Sequence, residues 1–241
     1  MAGRVRVGEG DSARTDRKPG DLLSAAETVE VIEREPYVSR GGYKLAAALD
    51  AFAIDPAGRV CVDVGASTGG FTDVLLQRGA ARVYAVDVGR GQLAESLRRD
   101  ERVISLERTN ARTLTAESLP ASVDLAVVDV SFISLGLVLG PIASCFGPAG
   151  GDLVTLVKPQ FEAGRGQVPG GVVRDPAVHL AVLRRVADAA RSADLVPLAA
   201  IPSPITGPEG NREFLLHLRV GGRGADPAEA LDRQFVEVTG G

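Results

Sequence analysis

Arg59-Val60-Cys61-Val62-Asp63-Val64-Gly65-Ala66-Ser67-Thr68-Gly69-Gly70-Phe71-Thr72-Asp73-Val74-Leu75-Leu76 changes period half-way along, and that change decides the fold. Val60, Cys61, Val62 and Val64 form a continuous apolar, β-branched run, as expected of a strand covered on both faces in a parallel sheet. Phe71, Val74 and Leu75 then recur at helical spacing. Between them, Gly65, Gly69 and Gly70 permit backbone conformations and close approaches that a Cβ would forbid, and Ser67 or Thr68 is placed to cap the helix. Strand, glycine turn and helix make half of a nucleotide-binding βαβ unit.

The glycine spacing restricts the ligand. A dinucleotide fingerprint requires glycine where Ser67 stands, and a phosphate-binding P-loop requires lysine where Phe71 follows Gly70. Both phosphate readings weaken. What remains is an acid on the strand, Asp63, followed by a Gly65-Ala66-Ser67-Thr68-Gly69-Gly70-Phe71 loop that suits a ligand with a cationic amino-acid end, as in S-adenosylmethionine. A second strand over Arg82 to Val86 ends in Asp87, where a doubly wound sheet sets a carboxylate against the ribose hydroxyls of an adenosine cofactor.

Strand and helix patterns continue to alternate around this unit. Ser39 is expected to cap a helix carrying Leu45, Leu49 and Phe52, with Lys44 on it. Val103 to Leu106 reads as a third strand, after which Asn110 is placed to read an adenine edge. The strand Asp124 to Val128 delivers Asp129 to the carboxyl edge, and Leu153 to Val157 delivers Lys158 to the same edge. Pro159 to Val173 is polar and glycine-rich, as expected of a lid or substrate loop. Asp175-Pro176 opens a helix over Leu180, Val182, Leu183 and Val186. Leu198 to Ile201 is a sixth strand, and Phe214 to Val220 a seventh, reached without an intervening helix and so expected to run antiparallel. His179 and His217 have no partner at ligand or relay spacing and read as surface residues. The tail from Gly221 is expected to be partly disordered, with Leu231, Phe235 and Val236 available to dock.

With 45% hydrophobic residues over 241, the chain can bury a full core. No apolar run reaches the length of a membrane helix, and Met1 to Arg17 is unlike a signal segment, so a soluble cytoplasmic protein is expected. Two cysteines give neither a disulfide framework nor a metal site, and Cys61 reads as core. A net charge of −4 argues against indiscriminate nucleic-acid binding, so an RNA site has to be local.

The segments Tyr37 to Leu45, Asp63 to Thr72, Glu107 to Arg112, Asp129 to Ser134, Val157 to Glu162 and Gly210 to Phe214 together resemble the TlyA (hemolysin A) family, in the family's order and over roughly Tyr37 to Val220. That family is similar to the FtsJ class of ribosomal RNA methyltransferases. The resemblance implies an α/β fold, a doubly wound, mostly parallel seven-stranded Rossmann-like sheet, with methyl transfer from S-adenosylmethionine to a ribose 2′-hydroxyl of ribosomal RNA, in that family a cytidine. It also implies a tetrad whose positions match Lys44, Asp129, Lys158 and Glu213, with ribosomal RNA or ribosomal subunits as partner. Two other functions stand beside it: a small-molecule methyltransferase on the same fold, and a non-enzymatic membrane-active haemolysin, for which no basic amphipathic helix is evident.

Three regions are expected on this basis: residues 1–36, a partial RNA-binding module with a linker; 37–220, the methyltransferase domain; and 221–241, a tail. The first resembles only the β-rich half of a ribosomal-protein-like module whose helical half is missing. A lone hairpin is marginal in water, so Met1 to Ile32 is expected to be poorly ordered in isolation.

Overall fold

The computed structural model describes residues 5–8, 22–25, 27–31, 35–221 and 227–240. The chain divides into two compact units, Met1–Pro36 and Tyr37–Gly241. In the first, β1 (Val5–Val7) pairs antiparallel with β2 (Val29–Val31), matching Val5 with Val31 and Val7 with Val29. Residues 9–21, which lie between the two strands in the chain, lie outside the described residues.

The second unit begins with α1 (Gly41–Ala51) and then β3 (Val60–Val64), α2 (Gly70–Gln77), β4 (Arg82–Val86), α3 (Glu95–Arg98) and β5 (Val103–Leu106). It continues through β6 (Leu125–Val128), α4 (Leu139–Ala143), β7 (Gly151–Val157), α5 (Pro159–Glu162), α6 (Pro176–Ser192), β8 (Leu195–Pro202), β9 (Phe214–Val220) and α7 (Ala228–Thr239). The seven strands from β3 onward form one sheet in the order β5-β4-β3-β6-β7-β9-β8. Pairing is parallel from β5 to β7, whereas β9 runs antiparallel to both β7 and β8. The antiparallel turn back through β9 follows from the short 203–213 connection, which is too short for a crossover helix.

Both faces of the sheet are covered, which is why its central strands read as unbroken apolar runs. Alternation within β3 sends Cys61 toward Leu45, Leu49, Val74 and Leu75 of α1 and α2, and Val62 and Val64 toward the cluster containing Val182, Leu183 and Val186 of α6. Asp63 falls on the same face as Cys61, beneath α2. The C-terminal segment folds as α7, burying Leu231 and Phe235, and Gln234 accepts a hydrogen bond from Ala200 N at 2.9 Å. That bond satisfies a donor on the edge strand β8, which would otherwise be open to pairing with another chain.

His217 is a correction to the sequence reading. It is buried on β9, 2.9 Å from Asp152 Oδ1, and stacks on Phe52 with ring centroids 5.3 Å apart. Its partners come from β7 and from the end of α1, so no spacing in the sequence announces them. Asp152 also accepts from Arg59 Nη1 at 2.8 Å and lies 3.1 Å from Arg219 Nη2. Burial works to raise the Asp152 carboxyl, but the hydrogen bonds from His217 and Arg59 win and hold it at about 2. Among the described residues no helix is long and apolar enough to cross a membrane.

Candidate active site

The chain steps outward from β3 to β4 and β5, then returns to the other side of β3 at β6. A doubly wound sheet opens its ligand crevice at the carboxyl edge of such a reversal. Here the edge is formed by Gly65 after β3 and Asp129 after β6. Gly65 has φ +86°, and a Cβ on it would collide with the Asp129 carbonyl, so the two loops can lie this close only with glycine in the left-handed region.

Two adjoining clefts lie along this edge. One, of about 300 Å³, is lined by Ser39, Lys44, Asp63, the 65–68 loop, Asp129, Lys158 and Glu213 among others. The second, of about 420 Å³, is lined by Val64, Val86, Asp87, Asn110, Phe132 and Ile133 among others. They share Gly65, Ser67, Asp129 and Ser131.

The α2 terminus departs from the expected capping. Neither Ser67 nor Thr68 caps the helix; its N-cap is Gly69, left-handed at φ +95°. Asp63 serves instead from the strand beneath, its Oδ2 accepting from Thr72 N at 2.9 Å and Thr72 Oγ1 at 2.7 Å. The third amide of α2 is thus satisfied by a carboxylate at the positive end of the helix. The other oxygen, Oδ1, is buried without a hydrogen bond among the described residues. Burial raises the carboxyl to about 7 against the opposing Thr72 hydrogen bonds, with the charges of Asp129 and Asp87 adding to the rise. A buried acceptor lacking a donor, on a residue lining the cleft, fits an ammonium group. At the end of β4, Asp87 accepts from Ser67 N at 2.8 Å and Gly89 N at 2.7 Å, which fixes the carboxylate in the second cleft. Asn110 is exposed, and its side-chain oxygen accepts from Arg112 N at 3.0 Å, capping the turn Ala111–Thr113. Phe71 is buried on α2 and also lines the first cleft.

The four tetrad positions come from four elements to one place. Lys44, on α1, is buried and donates to Glu213 Oε2 at 2.5 Å. Glu213 immediately precedes β9; its Oε1 is buried without a hydrogen bond among the described residues. Lys158, immediately after β7, lies 2.6 Å from Asp129 Oδ1 and donates to Ser131 Oγ at 2.8 Å. Its ammonium stands 5.9 Å above the Phe161 ring. Two ion pairs thus face one cleft, one buried and the other reached by solvent. Lys44 is paired with an acid 169 residues away in the chain.

Three features of the surroundings escaped the sequence. Ser131 holds the lysine, although Asp129-Val130-Ser131 gives no sign of it. Glu162 is buried and accepts from Leu135 N at 2.7 Å and Ser134 Oγ at 2.8 Å, anchoring the start of the 159–173 loop. Asn211 is buried and joins the end of that loop to the approach to β9.

The sequence profile of the FtsJ-like methyltransferases matches residues 37–220. The chain is 52% identical over 221 residues to the 16S/23S rRNA (cytidine-2′-O)-methyltransferase TlyA of Mycobacterium tuberculosis, covering 90% of this chain and 81% of that protein. It is 48% identical to YqxC of Bacillus subtilis, covering 99% and 84% of the two chains. A crystal structure of a SAM-dependent methyltransferase from Aquifex aeolicus superimposes with a TM-score of 0.53 at 16% identity, over 76% of this chain and 95% of that one, a likeness of fold alone.

Proposed function

Because this chain belongs to the FtsJ-like methyltransferase family, we propose that it transfers a methyl group from S-adenosylmethionine to the ribose 2′-hydroxyl of a cytidine in ribosomal RNA, acting on ribosomal subunits in the cytoplasm. The observation that carries this reading is the convergence of Lys44, Asp129, Lys158 and Glu213 on a cleft that continues into the Asp87 cleft.

Bound S-adenosylmethionine supplies a methyl group on a sulfonium, a leaving group that needs no protonation. The chain therefore has to act on the nucleophile. A ribose hydroxyl is a poor nucleophile at neutral pH, and a fixed cation beside it stabilises the charge that develops on its oxygen. Lys158 fills this role, with Asp129 and Ser131 setting the direction of its ammonium, and the hydroxyl proton is lost to solvent as the O–CH3 bond forms and the S–CH3 bond breaks. Lys44 and Glu213, locked to each other, line the same cleft and orient the ribose. Asp63 takes the amino end of the cofactor, the 65–70 loop its carboxylate end, and Asp87 its ribose; Asn110 and Ile133 border the adenine. Residues 37–220 act as the catalytic domain, and the N-terminal unit as an RNA-binding appendage.

The reading is tested by incubating the protein with methyl-labelled cofactor and separated ribosomal subunits, then digesting the RNA to nucleosides. Label in a 2′-O-methylnucleoside supports it; label on a base or on a small molecule alone contradicts it.

A further inference from the structure

The 159–173 loop leaves Lys158 and is bound again at its far end by two buried side chains. His179, expected at the surface, is instead 1% exposed on the first turns of α6. Its Nε2 lies 3.1 Å from the Val173 carbonyl. A carbonyl can only accept, so Nε2 carries the proton and the neutral ring leaves Nδ1 bare. Nδ1 is buried without a hydrogen bond among the described residues, and burial lowers the imidazole below its usual range, with Arg212 adding to the fall and Asp175 opposing it. Asn211, 2% exposed, grips the same segment from the other side: its Oδ1 accepts from Val173 N at 3.1 Å and its Nδ2 donates to Gly171 O at 2.9 Å. The His179 ring also meets the Phe214 ring edge-on, with centroids 5.5 Å apart. Phe214 is the neighbour of Glu213, and Asn211 lies two residues before it.

We propose that His179 and Asn211 are positioning residues for the transfer step, a brace that fixes the loop leaving Lys158 to the segment presenting Glu213. Neither side chain lines the clefts, so both act through other residues. Two buried polar groups committed to one peptide segment hold it in a single place, because releasing either leaves a buried partner unsatisfied. The brace therefore keeps the two ion pairs in mutual register while residues 166–170, largely exposed, remain available to the RNA.

This inference rests on the proposed function, and its test includes a readout that does not. His179→Phe keeps the ring and removes the donor; His179→Gln restores an amide donor at similar reach. In the Phe variant, hydrogen exchange at the Val173 amide is expected to accelerate at least tenfold and kcat to fall at least tenfold. Cofactor Kd and KM for the ribosomal subunit should stay within about threefold, and the Gln variant should recover most of both losses. Unchanged exchange at Val173 overturns the brace. Accelerated exchange with wild-type kcat overturns its role in positioning, as does a kcat loss accompanied by an equal loss of cofactor binding. If His179→Phe does not fold, Asn211→Ala decides: it removes both the acceptor for Val173 N and the donor to Gly171 O, and wild-type exchange and kcat there overturn the proposal. A wild-type protein that methylates no ribosomal RNA defeats the functional reading, while the exchange measurement still judges the brace.

Discussion

Replacing Asp63 with asparagine should move cofactor affinity and stability in opposite directions. An asparagine oxygen can keep the two hydrogen bonds from Thr72, at 2.9 and 2.7 Å, but the amide NH₂ then occupies the place of the unpartnered Oδ1. A cationic amino end loses its counter-charge and meets a donor instead of an acceptor. A charge-assisted hydrogen bond of this kind contributes roughly 1.5–3 kcal/mol, so S-adenosylmethionine should bind on the order of ten- to a hundredfold more weakly. The free protein should respond the other way. The Asp63 carboxyl is raised from 3.8 to about 7 on folding, so its contribution is fully present below 3.8 and is lost as pH rises toward 7. Within that window the loss has a slope of roughly 1.4 kcal/mol per pH unit. The substituted amide cannot ionise, and the Asp63→Asn variant should gain in melting temperature relative to wild type as pH rises from 5 to 8. Titration calorimetry at pH 6.5, in two buffers of different ionisation enthalpy, reads the coupled event: wild type should release most of one proton on binding, and the variant none. An unchanged Kd in the variant, or wild-type binding without proton release, would refute the reasoning.

Asp87→Ala should weaken cofactor binding by about 1.5–3 kcal/mol, since it removes a carboxylate already aimed by Ser67 N and Gly89 N; calorimetry measures it, and an unchanged Kd would move the ribose partner elsewhere. Lys158→Ala should cut kcat on ribosomal subunits by on the order of a hundredfold while cofactor affinity holds, because Lys158 lines the first cleft and not the Asp87 cleft; a loss confined to cofactor binding contradicts this. Gly65→Ala should destabilise the fold by more than about 1 kcal/mol in denaturant unfolding, from a strained φ and a collision with Asp129 together. Asp152, held at about 2, contributes stability that is present above 3.8 and lost as pH falls toward 2; Asp152→Asn should flatten the acid limb of a pH–stability curve there.

Most of the sheet was legible because burial on both faces writes β3, β4, β6 and β7 as apolar runs that carry or lead into a candidate site residue. Asp63, Asp87, Asp129 and Lys158 all stand on or directly after such runs. The reversal in strand order was legible for the same reason, since Gly65 and Asp129 follow the two strands on either side of it. Lys44 and Glu213 were different. A lysine on an amphipathic helix and an acid before the last strand look ordinary one at a time, and only the family resemblance joined them. The capping of α2 was misplaced because Ser67 and Thr68 satisfy the local rule, whereas the structure meets it through Asp63 from below. His179 and His217 were misread for a related reason: the partners that make their burial tolerable are a backbone carbonyl and an acid on other elements. Asn211 sits in a Pro/Gly-rich loop where asparagine is usual for turn geometry, so its bonds to Gly171 and Val173 left no trace in spacing.

The most direct test of ribose methylation is to identify the methylated nucleoside. Wild-type protein and Lys158→Ala are each incubated with methyl-labelled S-adenosylmethionine and intact small and large ribosomal subunits, and the RNA is digested and resolved by chromatography and mass spectrometry. Label is expected in 2′-O-methylcytidine with wild type and on the order of a hundredfold less with the variant. Label on a nucleobase, no incorporation into either subunit, or equal incorporation by the Lys158 variant would contradict it.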